Sequence, residues 1–276
     1  MKRFEANDLN VKIMGIVNIT PDSFSDGGYY LSPSTAISHC YKLIEDGADY
    51  LDLGAESSRP GSKPIDSELE WQRLKPILNE IHKQNICTDI NVKISIDTRY
   101  ATTMLHAMDY DVSMINNISG LCDFNTLKKL ATKPDMQYLA MHMHQNPTTM
   151  QQAPLEATNI YEHIKSFFSH AQKSLQNAGF LSENIWLDPG IGFGKTDAAN
   201  LRLIAHTQEF ANEYNLAIGV SRKSWIGRML KIENPKDRDH PSKMIEMALA
   251  IFGAKLIRTH DVKPLVQMLR VLTRDK

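Results

Sequence analysis

Cysteine is scarce in this sequence, and its few residues are too widely spaced to suggest a disulfide framework or a zinc site. Cys40, Cys87 and Cys122 are the only cysteines in 276 residues, and no two of them form a Cys-x-x-Cys pair. The helical zinc motif His-Glu-x-x-His is also missing. We therefore expect buried, reduced thiols in a cytoplasmic protein, and no zinc chemistry.

An excess of charge and a long apolar run are missing as well. The 31 basic and 32 acidic residues give a net charge of −1, which argues against a nucleic-acid or charged-membrane partner. No apolar run approaches the length of a membrane span. The first eight residues lack the apolar core of a signal peptide. We expect small-molecule ligands, with neither nucleic acid nor membrane as a partner.

Short apolar runs recur along the chain, separated by segments long enough for helices. The predicted strands are Lys12–Asn18, Tyr50–Gly54, Val92–Asp97, Ser113–Asn117, Gln137–His142, Ile185–Asp188, Ala217–Val220 and Ala254–Thr259. Helical spacing is found at Thr35–Glu45, Glu68–Lys83, Ile160–Asn177 and Met244–Phe252. Eight strands alternating with helices predict one α/β domain over residues 1–276, a single (β/α)8 TIM barrel. A doubly wound open sheet is the alternative.

Every predicted strand leads into side chains that carry charge or form hydrogen bonds. Among them are Asn18, Arg59, Asp97, Asn116, His142, Asp188, Lys223, Arg258 and His260. In a barrel the carboxyl ends of the strands meet on one face, where active sites lie. The sequence therefore predicts a polar pocket on that face.

The glycine-rich segment from Asp188 to Thr196 resembles two nucleotide-binding motifs but satisfies neither. A P-loop would need glycine where Pro189 stands, and the spacing is G-x-G-x-G rather than the Rossmann G-x-G-x-x-G. We interpret this segment as a tight wall that presents Asp188 and Phe193 to the pocket.

Two sets of cations point to anion binding. Ser221–Ser224 places two cations beside two hydroxyls, which suits an anion or an electron-rich ring atom, although Lys223 could instead form a Schiff base. Arg59, Arg258 and His260 could bind a doubly charged leaving group.

The remaining polar residues suggest a heterocycle and a hard metal ion. Asp97, Asn116 and Asp188 suit the donor edge of an aminopyrimidinone, because a buried carboxylate without a partner is costly. His142 and His144 suggest a metal pair, but we expect a packing role for at least one of them. Mg²⁺ held by Asn18 and a substrate phosphate fits the ligand types better.

The ordered set of motifs resembles the dihydropteroate synthase family over nearly the whole chain. Gly15–Gly28 is similar to the first family signature and Asp52–Gly61 to the second. Further matches follow in the family's order at Ser95–Thr98, Ile115–Asn116, Met141–Met143, Asp188–Lys195, Ser221–Ser224 and Arg258–Val262. Ser58, Asn117, Ile191 and His144 depart from the usual pattern. These departures affect details of the pocket rather than the chemistry.

The resemblance implies a TIM-barrel transferase of folate biosynthesis. Such an enzyme joins 6-hydroxymethyl-7,8-dihydropterin diphosphate to 4-aminobenzoate, releases pyrophosphate and forms 7,8-dihydropteroate. It further implies Mg²⁺ near Asn18, a homodimer and a sulfonamide target. Because the pterin ring can stabilise positive charge on its methylene, we expect an SN1-like path in which diphosphate leaves first.

The resemblance also implies roles for individual residues. The pterin ring would be held by Asp97, Asn116, Asp188 and Lys223. The diphosphate would meet Asn18, Arg59, Arg258 and His260. The aminobenzoate site would be lined by Ser58, Pro60, Phe193, Ser224 and Phe24. The segment Asp22–Gly28 would close as a lid that brings Asp22, Phe24 and Ser25 to the reaction, with Asp22, Arg59, Asp97 and Lys223 as catalytic residues.

Three other functions stay open at this point. A methyl-folate-binding barrel would share the pterin carboxylates but would not need Arg59 and Arg258. A non-catalytic pterin-binding subunit should have lost part of the charged set, which is complete here. A Schiff-base aldolase would use Lys223 as a nucleophile.

Overall fold

The computed structural model describes most of the chain but not every predicted site residue. Described are residues 9–20, 33–57, 62–86, 92–146 and 149–273. Outside these ranges lie Cys87 and the site residues Asp22, Phe24, Ser25, Ser58, Arg59 and Pro60, together with the predicted lid Asp22–Gly28. The predictions for these residues therefore stay predictions.

Eight parallel strands form the centre of the fold. They are β1 (Lys12–Asn18), β2 (Tyr50–Gly54), β3 (Lys93–Asp97), β4 (Val112–Asn117), β5 (Gln137–Met141), β6 (Ile185–Asp188), β7 (Ala217–Gly219) and β8 (Leu256–Thr259). Their order in the sheet is β6-β5-β4-β3-β2-β1-β8-β7. A parallel bridge between Leu187 and Leu216 joins the edges at β6 and β7. The sheet is therefore a nearly closed barrel, as predicted, and not a doubly wound open sheet.

Ten α-helices surround the barrel in the described ranges. They are α1 (Pro33–Glu45), α2 (Ser67–Lys83), α3 (Ala101–Ala107), α4 (Phe124–Leu130), α5 (Ile160–Ala178), α6 (Asp197–Ala205), α7 (Thr207–Glu213), α8 (Ser224–Leu230), α9 (Asp239–Ile251) and α10 (Val262–Thr273). All four predicted helices are present. The helix predicted from Met244 begins earlier, at Asp239, because Pro241 in a first turn is compatible with a helix.

The outer faces of the strands pack against apolar faces of the helices. On α5 the buried residues Ile164, Phe168, Ala171 and Leu175 recur at helical spacing. They belong to the same cluster as the outward-facing residues of the strands, such as Leu51. This packing holds the strand ends, and the side chains that follow them, in fixed positions.

The barrel interior is apolar at its floor. Met14, Tyr50, Met114, Leu139, Trp186, Ala217 and Leu256 belong there to a separate buried cluster, which also includes Phe193 beyond the end of β6. Because side chains alternate along a strand, Asp52 faces the same side of β2 as Tyr50. The polar residues therefore begin directly above the apolar floor, toward the carboxyl ends of the strands.

Two predictions drawn from composition can be compared with the structure. Cys40 is a buried free thiol, as expected, whereas the free thiol of Cys122 is only partly buried. Within the described ranges, no helix combines the length and apolarity needed to cross a membrane.

Candidate active site

Arg258, near the end of β8, joins carboxylates from two other strands. Its Nε donates to Oδ2 of Asp52 at 2.6 Å and its Nη2 to Oδ2 of Asp97 at 2.8 Å. Asn116 on β4 donates from Nδ2 to the same oxygen of Asp52 at 3.0 Å. These four residues, which we name the Arg258 cluster, connect the ends of β2, β3, β4 and β8.

Asp52 belongs to this cluster, although no role was predicted for it from the sequence. Its side chain is fully buried, and its Oδ1 has no hydrogen-bond partner among the described residues. The sequence feature that could have identified Asp52 as a site residue is its position as a carboxylate in the middle of the apolar run Tyr50–Gly54. Such a residue faces the same side as Tyr50, which is the barrel interior.

Asp97 has an unusual electrostatic environment. Burial raises its pKa to about 7, with Arg258 acting in the opposite direction and Asp52 adding to the increase. Burial also tends to lower the pKa of Arg258, but Asp52 and Asp97 outweigh this effect and raise it. The two carboxylates thus share one guanidinium, so a ligand with N–H donors would stabilise the ionised form of Asp97.

A second group of residues lies at the ends of β6 and β7. Nζ of Lys223 is 3.7 Å from the centroid of the Phe193 ring, which is within cation–π range. Oδ1 of Asp188 accepts a hydrogen bond from the Gly190 N–H at 2.7 Å. We name Asp188, Phe193 and Lys223 the Lys223 cluster.

The two clusters interact electrostatically. Burial lowers the pKa of Lys223 to about 7, while Asp188 and Asp97 oppose the shift and Arg258 adds to it. Burial raises the pKa of Asp188 to about 6, against the Gly190 hydrogen bond and the charges of Lys223, Lys195 and Arg258. Asp97, Asn116, Asp188, Lys223 and Arg258 are therefore brought to one face, as predicted.

The wall that carries Phe193 depends on glycine. Gly190, Gly192 and Gly194 have φ values of +65°, +85° and +65°, a region that favours glycine. A Cβ on Gly190 would lie 1.8 Å from the carbonyl oxygen of His142. The interpretation of Asp188–Thr196 as a tight, glycine-shaped wall fits this geometry.

The suggestion that both cations of Ser221–Ser224 suit an anion or an electron-rich ring atom stays a prediction, and Arg222 already has a carboxylate partner. Its Nε and Nη2 donate to Asp239 of α9 at 2.6 and 2.8 Å. The backbone of Arg222 has a φ of +56°. Of the two cations, Lys223 lies over the Phe193 ring, and Arg222 lies close enough to His260 to lower its pKa.

His260 is positioned by Ser221. The His260 N–H donates to Ser221 Oγ at 3.2 Å, and Nδ1 lies 3.0 Å from the same oxygen. Burial, together with Arg222, Arg258 and Lys223, lowers the pKa of His260 well below its usual range. His260 is therefore a neutral hydrogen-bonding group rather than a third cation at neutral pH.

Asn18 and Ser224 lie at element ends near the two clusters. Asn18 is the last residue of β1 and pairs with Gly54 of β2. Ser224 is the first residue of α8 and is exposed. Hydrogen bonds and ion pairs of the described residues connect neither side chain to Arg258 or Lys223.

A protein-only metal site is not found in the described ranges, where no group of three or more His, Cys, Asp or Glu side chains could hold a metal ion. The amide oxygen of Asn18 is nevertheless a hard ligand of the kind that Mg²⁺ takes. Mg²⁺ typically combines one or two protein ligands with substrate phosphates and water. The donor set therefore fits a magnesium ion only if the substrate supplies most of its ligands.

His142 and His144 have different environments. The ring of His142 is buried and lies between Lys195 and His163, at 3.0 Å from each. His144 is only partly buried.

Two departures from the family pattern lie outside both clusters. Asn117 bonds the hydroxyl of Tyr138 and the backbone of Ser119. Ile191 is fully buried in the outer core.

Comparison with known proteins identifies the family of this chain. A model of the family described as pterin binding enzyme matches residues 14–260. The dihydropteroate synthase of Neisseria meningitidis serogroup C is 39% identical over 272 residues, covering 97% of this chain and 94% of that protein. The Escherichia coli K12 dihydropteroate synthase is 36% identical over 262 residues, covering 94% and 90%.

Solved structures show the same similarity. The Yersinia pestis dihydropteroate synthase in a sulfonamide drug complex has a TM-score of 0.87 and 33% identity, covering 97% of this chain and 95% of that one. The Xanthomonas albilineans enzyme with 4-aminobenzoic acid has a TM-score of 0.86 and 32% identity, covering 96% and 92%. The chain therefore belongs to the dihydropteroate synthases, the pterin-binding transferases of folate biosynthesis.

Proposed function

We propose that this chain condenses 6-hydroxymethyl-7,8-dihydropterin diphosphate with 4-aminobenzoate, by an SN1-like displacement that releases pyrophosphate. The observation that carries the proposal is the convergence of the Arg258 and Lys223 clusters. Carboxylates and an amide from β3, β4 and β6 meet two cations there. The 4-aminobenzoic acid and sulfonamide found in the two solved relatives support this choice of second substrate.

The pterin ring would be held by Asp97, Asn116, Asp188 and Lys223. The carboxylates would accept hydrogen bonds from the N–H groups of the ring, and Lys223 would donate to a ring oxygen or nitrogen. Burial already raises the pKa of Asp97 to about 7 and that of Asp188 to about 6. A ligand that donates hydrogen bonds stabilises both carboxylates in the ionised form, which gives the pocket its preference for a donor-rich edge.

The diphosphate would meet Asn18, Arg59, Arg258 and His260. Arg258 already bonds two carboxylates, so it would turn toward the phosphates only as the pterin supplies new donors to Asp97. His260 would donate a hydrogen bond as a neutral ring. A magnesium ion bound by Asn18 and the diphosphate would offset the charge of the leaving group.

The methylene–oxygen bond would break first, with its electron pair leaving on pyrophosphate. The carboxylates near the ring stabilise the cation, and the arylamine then forms the new C–N bond and loses a proton. Phe193, Ser224, Ser58, Pro60 and Phe24 would position the aminobenzoate, while Asp22 and Arg59 would come from the two opening loops. Fixed charges lower the barrier in this scheme, without a covalent enzyme intermediate.

The test is incubation with pterin diphosphate, 4-aminobenzoate and Mg²⁺, measuring pyrophosphate and dihydropteroate together. We expect both products in equal amounts, and a sulfonamide should compete with 4-aminobenzoate. Pterin binding without pyrophosphate release would favour the non-catalytic subunit. Borohydride trapping of a carbonyl substrate on Lys223 would favour the aldolase.

We also propose a cytoplasmic homodimer in which residues 1–276 form one domain. Exposed apolar side chains on the outer helices, among them Met244, Ile251 and Phe252, offer a surface for a second copy. Sedimentation at micromolar concentration should give twice the chain mass.

A further inference from the structure

Lys195 is a buried charged residue at the end of the wall that carries Phe193, and the reaction proposed above does not use it. Its side chain is almost fully buried. Its Nζ lies 2.8 Å from the carbonyl oxygen of Gly190, 3.0 Å from that of Phe193 and 3.3 Å from that of His142. Burying a lysine is costly unless its charge is well solvated by the protein, and these carbonyl oxygens provide that solvation.

The ring of His142 completes the environment of Lys195. Its Nδ1 lies 3.0 Å from Nζ. Burial lowers the pKa of Lys195 to about 7, and Asp188 opposes this shift. When Lys195 is protonated, its ammonium can only donate, so this Nδ1 accepts and the proton of the neutral ring is on Nε2. That Nε2 lies 3.0 Å from Nε2 of His163 on α5, which accepts in turn. Burial and the charge of Lys195 lower the pKa of His142 to about 2, in agreement with a neutral ring.

The wall has little rigidity of its own, because three of its residues are glycines in a left-handed conformation. Two of the carbonyl groups bound by Lys195, those of Gly190 and Phe193, belong to this wall, and that of His142 follows β5. The ammonium therefore ties the wall to the neighbouring strand. From α6, Asn200 accepts a hydrogen bond from the Gly192 N–H at 2.8 Å and supports the same segment.

We propose that Lys195 is a positioning residue for arylamine binding: it fixes the carbonyl group of Phe193 so that the Phe193 ring stays beneath Lys223. This inference rests on the proposed function, and specifically on the assignment of Phe193 to the aminobenzoate site. Lys195 itself lies behind the wall, where its ammonium group is bound by carbonyl oxygens and a histidine ring.

The test is a double-mutant cycle between Lys195→Met and Phe193→Ala in the full chain, with KM for 4-aminobenzoate as the readout. Displacements of about 1 Å at a site typically cost up to about 100-fold, so we expect Lys195→Met to raise this KM by about tenfold or more. If Lys195 acts through Phe193, adding Lys195→Met to Phe193→Ala should change KM by less than about twofold. Effects that simply multiply would overturn the inference, as would an unchanged KM in Lys195→Met.

Lys243→Met is the matched control, because Lys243 is also a buried lysine but pairs with Glu246 and Thr259 behind β8. It should lower the melting temperature, and its effect on KM should multiply with that of Phe193→Ala.

If Lys195→Met fails to fold, His142→Gln is the second variant, because it removes one acceptor and keeps the three carbonyl groups. His142→Gln should raise KM for 4-aminobenzoate by less than Lys195→Met, and this increase should disappear in the Phe193→Ala background. If the effects of His142→Gln and Phe193→Ala on KM multiply instead, the inference is contradicted. A wild-type chain that releases no pyrophosphate would instead contradict the proposed function.

Discussion

The two sides of the active-site face differ in how their charges are paired. In the Arg258 cluster the guanidinium bonds two carboxylates directly, at 2.6 and 2.8 Å. In the Lys223 cluster the ammonium lies over the ring of Phe193, and Asp188 takes a backbone N–H instead. The first arrangement is fixed before a ligand arrives. The second leaves a cation and a carboxylate for which the ligand can supply partners, so a ligand must rearrange existing ion pairs only on the Arg258 side.

Asp97 and Lys223 are the residue of each cluster that is predicted both to hold the pterin and to be catalytic, so their loss should have the largest effects. Removing one well-aimed electrostatic contact typically costs roughly 10²–10³ in rate, and we expect at least this from Asp97→Asn and from Lys223→Ala. The measurement is kcat/KM for pterin diphosphate, with circular dichroism to confirm the fold.

Ser95→Ala is the matched control for Asp97→Asn. Ser95 lies two residues earlier on β3 and faces the same side, and its Oγ has no partner among the described residues. Because the hydroxyl forms no such bond, we expect kcat/KM to stay within about threefold. Near wild-type activity in either Asp97→Asn or Lys223→Ala would contradict the site assignment.

Substituting Asp52 should lower kcat/KM by an intermediate amount, because Asp52 orients Arg258 and has no predicted contact with the substrate. Asp52→Asn keeps the side-chain shape but weakens the bond from Arg258, so Arg258 should move toward Asp97. Losing a hydrogen bond to a charged group typically costs about 1.5–3 kcal/mol, which corresponds to a fall in kcat/KM of roughly 10–100-fold. The change should appear in KM for pterin diphosphate more than in kcat.

Asp49→Asn is the corresponding control at the opposite end of the barrel. Asp49 precedes β2, pairs with Lys12 and accepts a hydrogen bond from the Ile13 N–H. Its loss should lower stability and leave KM for pterin diphosphate unchanged. An Asp52→Asn effect as large as that of Asp97→Asn would place Asp52 in contact with the substrate.

The pH dependence of pterin binding should separate the contribution of the two carboxylates Asp97 and Asp188 from that of Lys223. Asp188 and Asp97, with pKa values of about 6 and 7, accept hydrogen bonds more strongly when ionised, so affinity should rise as pH increases through 6 to 7. Lys223, with a pKa of about 7, loses its proton as pH rises further, so affinity should fall on the alkaline side. Calorimetry with 6-hydroxymethylpterin should give a maximum near neutral pH. Lys223→Arg should extend the plateau upward by more than one pH unit, and an alkaline limb that does not move would contradict the role of Lys223.

The fold could be predicted from the sequence largely because strands buried on both faces have a strong local signal. The run Tyr50–Gly54 contains four apolar or small residues around Asp52, and β2 has the predicted bounds. The predicted start of β8 at Ala254 was too early. The Ala254 N–H donates to Leu249 of α9 at 3.0 Å, so this residue still belongs to the helix end. Strand boundaries that depend on such capping bonds are difficult to predict, because amino-acid composition says little about these bonds.

The candidate site could be predicted by residue type and position, but not by pairing. Arg258 and Asp52 are separated by 206 residues, and only the closed barrel brings them together. The directions of the Arg222 and Lys223 side chains could likewise not be predicted from the sequence. Adjacent residues can face opposite ways when one has a positive φ, and the local sequence does not specify that angle.

Substituting Arg222 should have the smallest effect on substrate binding, and it tests whether Arg222 binds substrate together with Lys223. The residue adjoins Lys223 in sequence, yet its guanidinium bonds Asp239 and its backbone N–H donates to Ser242 at 3.0 Å. Arg222→Gln should therefore cost about 1 kcal/mol of stability through the partly exposed ion pair. It should leave KM for both substrates within about twofold, in contrast to Lys223→Ala. A large rise in KM for pterin diphosphate with an unchanged melting temperature would mean that Arg222 turns inward when substrate binds, and both cations of Ser221–Ser224 would then bind the anion.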